Sequence, residues 1–175
     1  GILAAVVRDL APALSELPLR TPAEGATLAY IRERIMTEAA DMTLVSVSTG
    51  KRVIKNAERE LETVLADLYR RIARNRRAVK LVDRCAADYP ELANVWFGEG
   101  RWAQHRLLVQ LIETRVKKKR FRRIENADVV ARTILEMIAF WAMHRHFDES
   151  PQNVDDGAAE RAVIDLIMHG LLENA

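Results

Sequence analysis

The chain has 175 residues, enough for one domain with a sizeable core, and 27 basic against 25 acidic side chains, so its net charge of +2 singles out no partner. Seven glycines and five prolines, set against abundant Ala, Leu, Arg and Glu, point to an all-α protein, and the single Cys85 excludes an internal disulfide. The distribution of charge says more than the total: residues 1–50 carry 4 basic and 6 acidic groups, 51–123 carry 20 and 9, and 124–175 carry 3 and 10.

Residues 1–17 have helical spacing, with Leu3, Val6, Val7, Leu10 and Leu14 apolar and a bend expected at Pro12. The opening lacks a basic n-region and a long apolar core, so no signal peptide is expected, and with one cysteine a reducing cytoplasm fits. The missing initiator Met leads us to expect a fragment or a processed chain. Thr21-Pro22-Ala23-Glu24 combines a capping threonine, proline at the first helical position and glutamate three residues after the cap. The helix that follows should bury Leu28, Ile31 and Ile35 and run to about Val45.

Lys51 to Asn75 is strongly amphipathic, with Ile54, Ala57, Leu61, Val64, Leu65, Leu68 and Ile72 on one face. Arg76 to Asp88 predicts a shorter helix ended by Tyr89-Pro90, because the residue before proline avoids helical geometry. Glu91 to Lys118 predicts a long helix, interrupted in propensity by Gly98 and Gly100, which either leave room for a guest or permit close packing. Two apolar helices close the chain, Asn126 to Phe147 and Ala158 to Leu172, joined by a turn-forming loop. Neither is apolar over the length that spans a bilayer. Their surplus of apolar surface predicts a homodimer in which the pair meets its copy as a four-helix bundle. The candidate interface is Ile134, Ile138, Ala142, Ala162, Leu166, His169 and Gly170. The alternative is that both helices form the core of a monomer.

No pattern carries catalytic or metal chemistry. Thr49-Gly50-Lys51 lacks the first glycine of a phosphate-binding loop and has Arg52 where a hydroxyl residue is needed. His144 and His146 are two apart and point away from one another on a helix, with no carboxylate or cysteine at ligand spacing. No cofactor is expected, and a helical enzyme would need an acid–base pair that no spacing singles out. Two clusters are strongly basic, Arg70, Arg71, Arg74, Arg76 and Arg77, and Lys117 to Arg123. They fit an acidic or nucleic-acid partner, or solvated helix ends. Trp96, Phe97, Trp102, His105, Met137, Phe140 and Trp141 concentrate in two helices that must pack together, which describes an apolar ligand pocket or an aromatic core.

The order of these features, Gly1-Ile-Leu-Ala-Ala-Val-Val opening a helix, Tyr89-Pro90-Glu91-Leu92 before a long one, then the apolar Ala127 to Phe147 and Arg161 to Leu172 helices, resembles the C-terminal regulatory domain of the tetracycline-repressor (TetR/AcrR) family of bacterial transcription regulators. The resemblance implies residues 1–17 as a linking helix, 22–118 as pocket-forming helices and 126–174 as dimerisation helices. It implies a small apolar or amphipathic effector held by the aromatic cluster, and DNA binding only through an N-terminal helix-turn-helix domain that this sequence lacks. Lys51 to Asp88 is longer, and Lys117 to Arg123 more basic, than the family pattern needs. The competing reading is a helical protein–protein interaction module without a ligand.

Overall fold

The computed structural model describes residues 23–150 and 153–172. Over these residues the protein is an all-α bundle without strands, built from α1 (Ala26–Ala40), α2 (Thr43–Ser48), α3 (Ala57–Arg74), α4 (Arg76–Cys85), α5, α6 (Ala127–Ala142) and α7 (Asp156–Leu171). Helix α5 is one continuous run of three parts, Pro90–Ala93, a π-helical stretch Asn94–Arg101, and Trp102–Lys117. A 3-10 turn, His144–Phe147, follows α6. The helix expected over residues 1–17 and the Thr21-Pro22 start signal lie outside the described residues.

Helix α3 is the central element. Its apolar face is fully covered, with Leu61, Val64, Leu65 and Leu68 buried against Leu108, Leu111 and Ile112 of α5, Ala131, Ile134 and Ile138 of α6, and Val163 and Ile167 of α7. Each such leucine contributes about 1.5–3 kcal/mol relative to leaving it in water. A second, smaller cluster joins α1, α4 and the start of α5 through Ile31, Val82, Ala86, Leu92 and Val95. Gly100 lies beneath Ile35 of α1, whose Cδ1 is 3.6 Å from where a Cβ would stand. Ile35 rather than a guest therefore lies over this glycine, at a distance that an alanine Cβ would meet in ordinary van der Waals contact.

The helix expected from Pro22 to about Val45 is two helices with a break at Asp41-Met42, and its first described turn is Ala23–Gly25, with Gly25 at φ 75°. A single ion pair on α3 explains the break. Arg71 donates to the carbonyls of Glu38 at 3.0 Å and Asp41 at 2.7 Å, taking the open end of α1. Asp67, one turn before it, accepts the Thr43 amide at 2.7 Å at the start of α2 and holds Arg71 Nε at 2.8 Å. Both helix ends thus find charged partners, which is stronger than the carbonyl–amide bonds they replace. Helix α3 also starts later than Lys51, because Asn56 caps it by accepting from the Arg59 amide at 2.7 Å. Ile54, expected on the helix, instead packs on the main core from the preceding loop. The helix expected from Asn126 to Phe147 ends at Ala142, where Tyr69 Oη and Arg145 Nε both donate to the Trp141 carbonyl.

The connection after α5 explains the basic run. Amides of Lys119 and Arg120 donate to the carbonyls of Val116 and Arg115, both at 2.9 Å, the pairing of a Schellman cap with Lys119 in the left-handed region at φ 53°. Phe121 is then buried in the main core. Arg122 ends α7, its amide donating to the Leu171 carbonyl at 2.9 Å and its side chain to Gly170.

Beneath this connection Glu60 and Arg115, both buried, form a bidentate pair with Nε–Oε2 at 2.6 Å and Nη2–Oε1 at 2.9 Å. Removing one charge leaves the other stranded in the core. Glu60→Gln should lower unfolding free energy by about 3–5 kcal/mol, read from the urea midpoint, and an unchanged midpoint would contradict the pair's role. Lys119→Gly should raise stability by about 1 kcal/mol, because glycine adopts the left-handed conformation without the Cβ clash.

Candidate functional site

The seven residues expected to line a pocket divide among several packing environments. Trp96 belongs to the smaller cluster and donates through Nε1 to Asp83 Oδ1 at 3.1 Å. Phe97 and Trp102 are largely exposed, and Arg101 lies over the Phe97 ring at 5.7 Å. Met137 and Trp141 pack on the main core, while Phe140 meets Trp141 edge-on and remains partly in solvent. A concavity of about 690 Å³ does exist, but it lies at the start of α3, away from these aromatics, lined by Arg52, Val53, Ile54, Lys55, Asn56, Arg59 and Thr63.

His105 differs from the other six. It is 3% exposed and stacks beneath Trp102, ring centres 4.9 Å apart and 18° from parallel. Its Nε2 lies 3.1 Å from the Asp128 carbonyl, so that nitrogen carries the proton in a neutral ring. In that tautomer Nδ1 is a buried acceptor, and among the described residues it has no partner. Such an acceptor costs free energy unless a donor reaches it.

The expected interface residues divide into two groups. Ile134, Ile138 and Ala142 are buried within this chain's own core. This corrects their assignment to an interface: α6 is apolar on nearly every side, and its spacing did not distinguish the inner face from the outer. Ala162, Leu166, His169 and Gly170 are exposed on α7, and among the described residues no neighbouring element approaches within 4 Å of a Cβ placed on Gly170. On α6 the exposed counterparts, missed by the sequence reading, are Val129, Thr133 and Phe140.

Most of the first basic cluster is spent inside the fold. Arg70 pairs with Glu160, Arg71 with Asp67 and Glu38, Arg74 with Glu38, and Arg76 with Asp156. Asp156, at the start of α7, also accepts from Arg145, and the Arg76 guanidinium holds its carboxyl below the usual carboxylate range. His146 lies against Arg76, and Lys80 Nζ is 3.1 Å from His144 Nδ1. Among the described residues no group of three His, Cys, Asp or Glu is placed to hold a metal ion, and no helix is long and apolar enough to cross a membrane.

Comparison with protein-family models, with curated proteins and with solved structures finds no match to this chain.

Burial lowers both imidazole pKa values from the ordinary 6.5, and the neighbouring cations Lys80 for His144 and Arg76 for His146 lower them further. A histidine with a depressed folded pKa binds its proton more readily when unfolded. Its stabilisation is therefore complete above pH 6.5 and is lost as pH falls through the folded value. The thermal midpoint should drop between about pH 7 and about pH 5, and a His144→Asn/His146→Asn variant should flatten that slope. An equal slope in the variant would assign the acid sensitivity elsewhere.

Proposed function

We propose that this chain is the sensor and dimerisation domain of a TetR-like bacterial transcription regulator, controlling DNA binding by a separate helix-turn-helix domain. One observation carries the reading: α6 and α7 pack against each other and still leave apolar side chains in solvent, with Val129 56%, Phe140 37% and Leu166 61% exposed. Val129, Thr133 and Phe140 recur along one face of α6, and Ala162, Leu166 and Gly170 recur every four residues along α7. An isologous contact between two such pairs makes a four-helix bundle, in which Leu166 is buried and Gly170 lets a partner helix approach closely.

The sensing half of the proposal rests on His105. Its unpartnered Nδ1 suits an effector that is largely apolar and carries one hydroxyl or N–H donor, with Trp102 as the neighbouring wall. Effector binding then shifts the population between two dimer geometries. The dispersal of Trp96, Met137 and Trp141 among separate packing contacts favours a second reading, a helical interaction module that uses the same exposed face for another protein and takes no ligand.

Native mass of the chain at low micromolar concentration separates the two. A dimer is expected, and Leu166→Glu should convert it to a monomer with unchanged helical circular dichroism, since a carboxylate on each side cannot be buried unpaired. Additional non-covalent mass that disappears on denaturation would identify a retained effector, and His105→Phe should abolish its retention. A ligand-free monomer would sink the regulatory reading and leave the interaction module.

A further inference from the structure

The concavity at the start of α3 belongs to none of the functions above. It is lined by Arg52, Lys55 and Arg59, all exposed, and among the described residues none of the three has a carboxylate partner. By contrast, Arg32, Arg71, Arg76, Arg101, Arg115 and Arg145 all make ion pairs. Three unpaired cations repel one another, and an anion placed among them relieves that repulsion.

The site is also held in shape. Arg120 reaches across from the connection after α5 and donates to the carbonyls of Ile54 and Lys55, at 3.1 and 2.7 Å. The Arg52 amide donates to the Ser46 carbonyl at 3.0 Å, and Asn56 fixes the first turn of α3. Arg59 and Thr63 stand one turn apart on the same face of that helix; of the two acids beside Arg59, Glu60 is consumed by Arg115 and Arg120, and the exposed Glu58 does not line the concavity. Val53, 79% exposed, supplies an apolar rim.

We propose that this concavity binds a small organic phosphate, with the guanidinium groups of Arg52 and Arg59 and the ammonium of Lys55 holding the phosphate and Val53 contacting its organic part. Guanidinium forks match phosphate oxygens, and about 690 Å³ falls within the usual range for small-molecule sites. The phosphate could come from a nucleic-acid backbone instead, but the cations line a pocket rather than an extended track, which favours a compact ligand.

The test is a titration of the chain with pyrophosphate, followed by amide chemical shifts, with sodium sulfate at matched ionic strength and a random-sequence DNA duplex as parallel arms. Saturable shifts confined to residues 52–63, at about 1 mM or below and beyond those caused by sulfate, would support the site. Arg59→Gln, and separately Arg52→Gln/Lys55→Gln, should weaken pyrophosphate binding about tenfold or more, while Lys117→Gln/Lys118→Gln should leave it unchanged. Equal responses to pyrophosphate and sulfate would reduce the effect to screening and overturn the proposal. Binding of the duplex alone through the same amides would overturn it in favour of nucleic acid.

Discussion

The pair between Glu60 and Arg115 constrains more of this fold than any other contact. Two ions in a leucine-lined interior are costly to desolvate, and only a short bidentate geometry with further donors compensates them. Here Arg120 provides a second cation, 3.5 Å from the same carboxylate, and its own amide donates to the Arg115 carbonyl. The first turn of α3, the end of α5 and the connection that follows are therefore fixed by one buried carboxylate. Once that connection is fixed, Phe121 can fill the core and Arg122 can end α7. Apolar burial supplies most of the stability, but it is non-directional. The ion pair sets the register in which α3 and α5 meet.

Arginine is used repeatedly in this way. Arg71 joins the end of α1 to α3, Arg115 locks α3 to α5, Arg122 ends α7, and Arg145 links the Trp141 carbonyl to Asp156 at the start of α7. A planar fork with five donors can satisfy several carbonyls and a carboxylate together, which lysine cannot do. The basic middle and the acidic end of the chain are thus partly complementary halves of one network, as Arg70 with Glu160 and Arg76 with Asp156 show. Much of the apparent capacity for nucleic acid in the arginine-rich end of α3 is already neutralised by the fold.

The all-α class was legible in the sequence, and so were the main amphipathic helix and the core it buries, because periodicity reports which face is covered. Leu61, Val64, Leu65 and Leu68 fall where the spacing puts them. Helix ends were less legible. The break at Asp41-Met42 depends on Asp67 and Arg71, more than twenty residues away, and no local propensity contains that information. The same limit applies to α6. Its inner and outer faces are both apolar, so Ile134 and Val129 look alike until α3 and α5 are in place to cover one and not the other. His105 stood out only as a polar residue near aromatics, and its significance comes from a hydrogen bond to Asp128 that the sequence does not imply.

The two surfaces that the described residues leave without partners differ in kind, and the difference bears on how the protein works. On α6 and α7 the unsatisfied property is apolar area, which any complementary hydrophobic surface can cover, including a second copy of the same face. At the start of α3 it is charge, and a second copy presents only more positive charge. A self-associating protein can therefore cover the first surface by symmetry but must draw on another molecule for the second. Helix α3 runs between these regions, reaching Arg59 at one end and packing on α7 along its length. Ligand at the basic concavity and a copy at the α6–α7 face would thus both act on one leucine-packed helix. Coupling between them requires two arrangements of that helix. The Glu60–Arg115 pair, at the point where α3 meets the connection to α6, is the contact that such a change would have to break or carry with it.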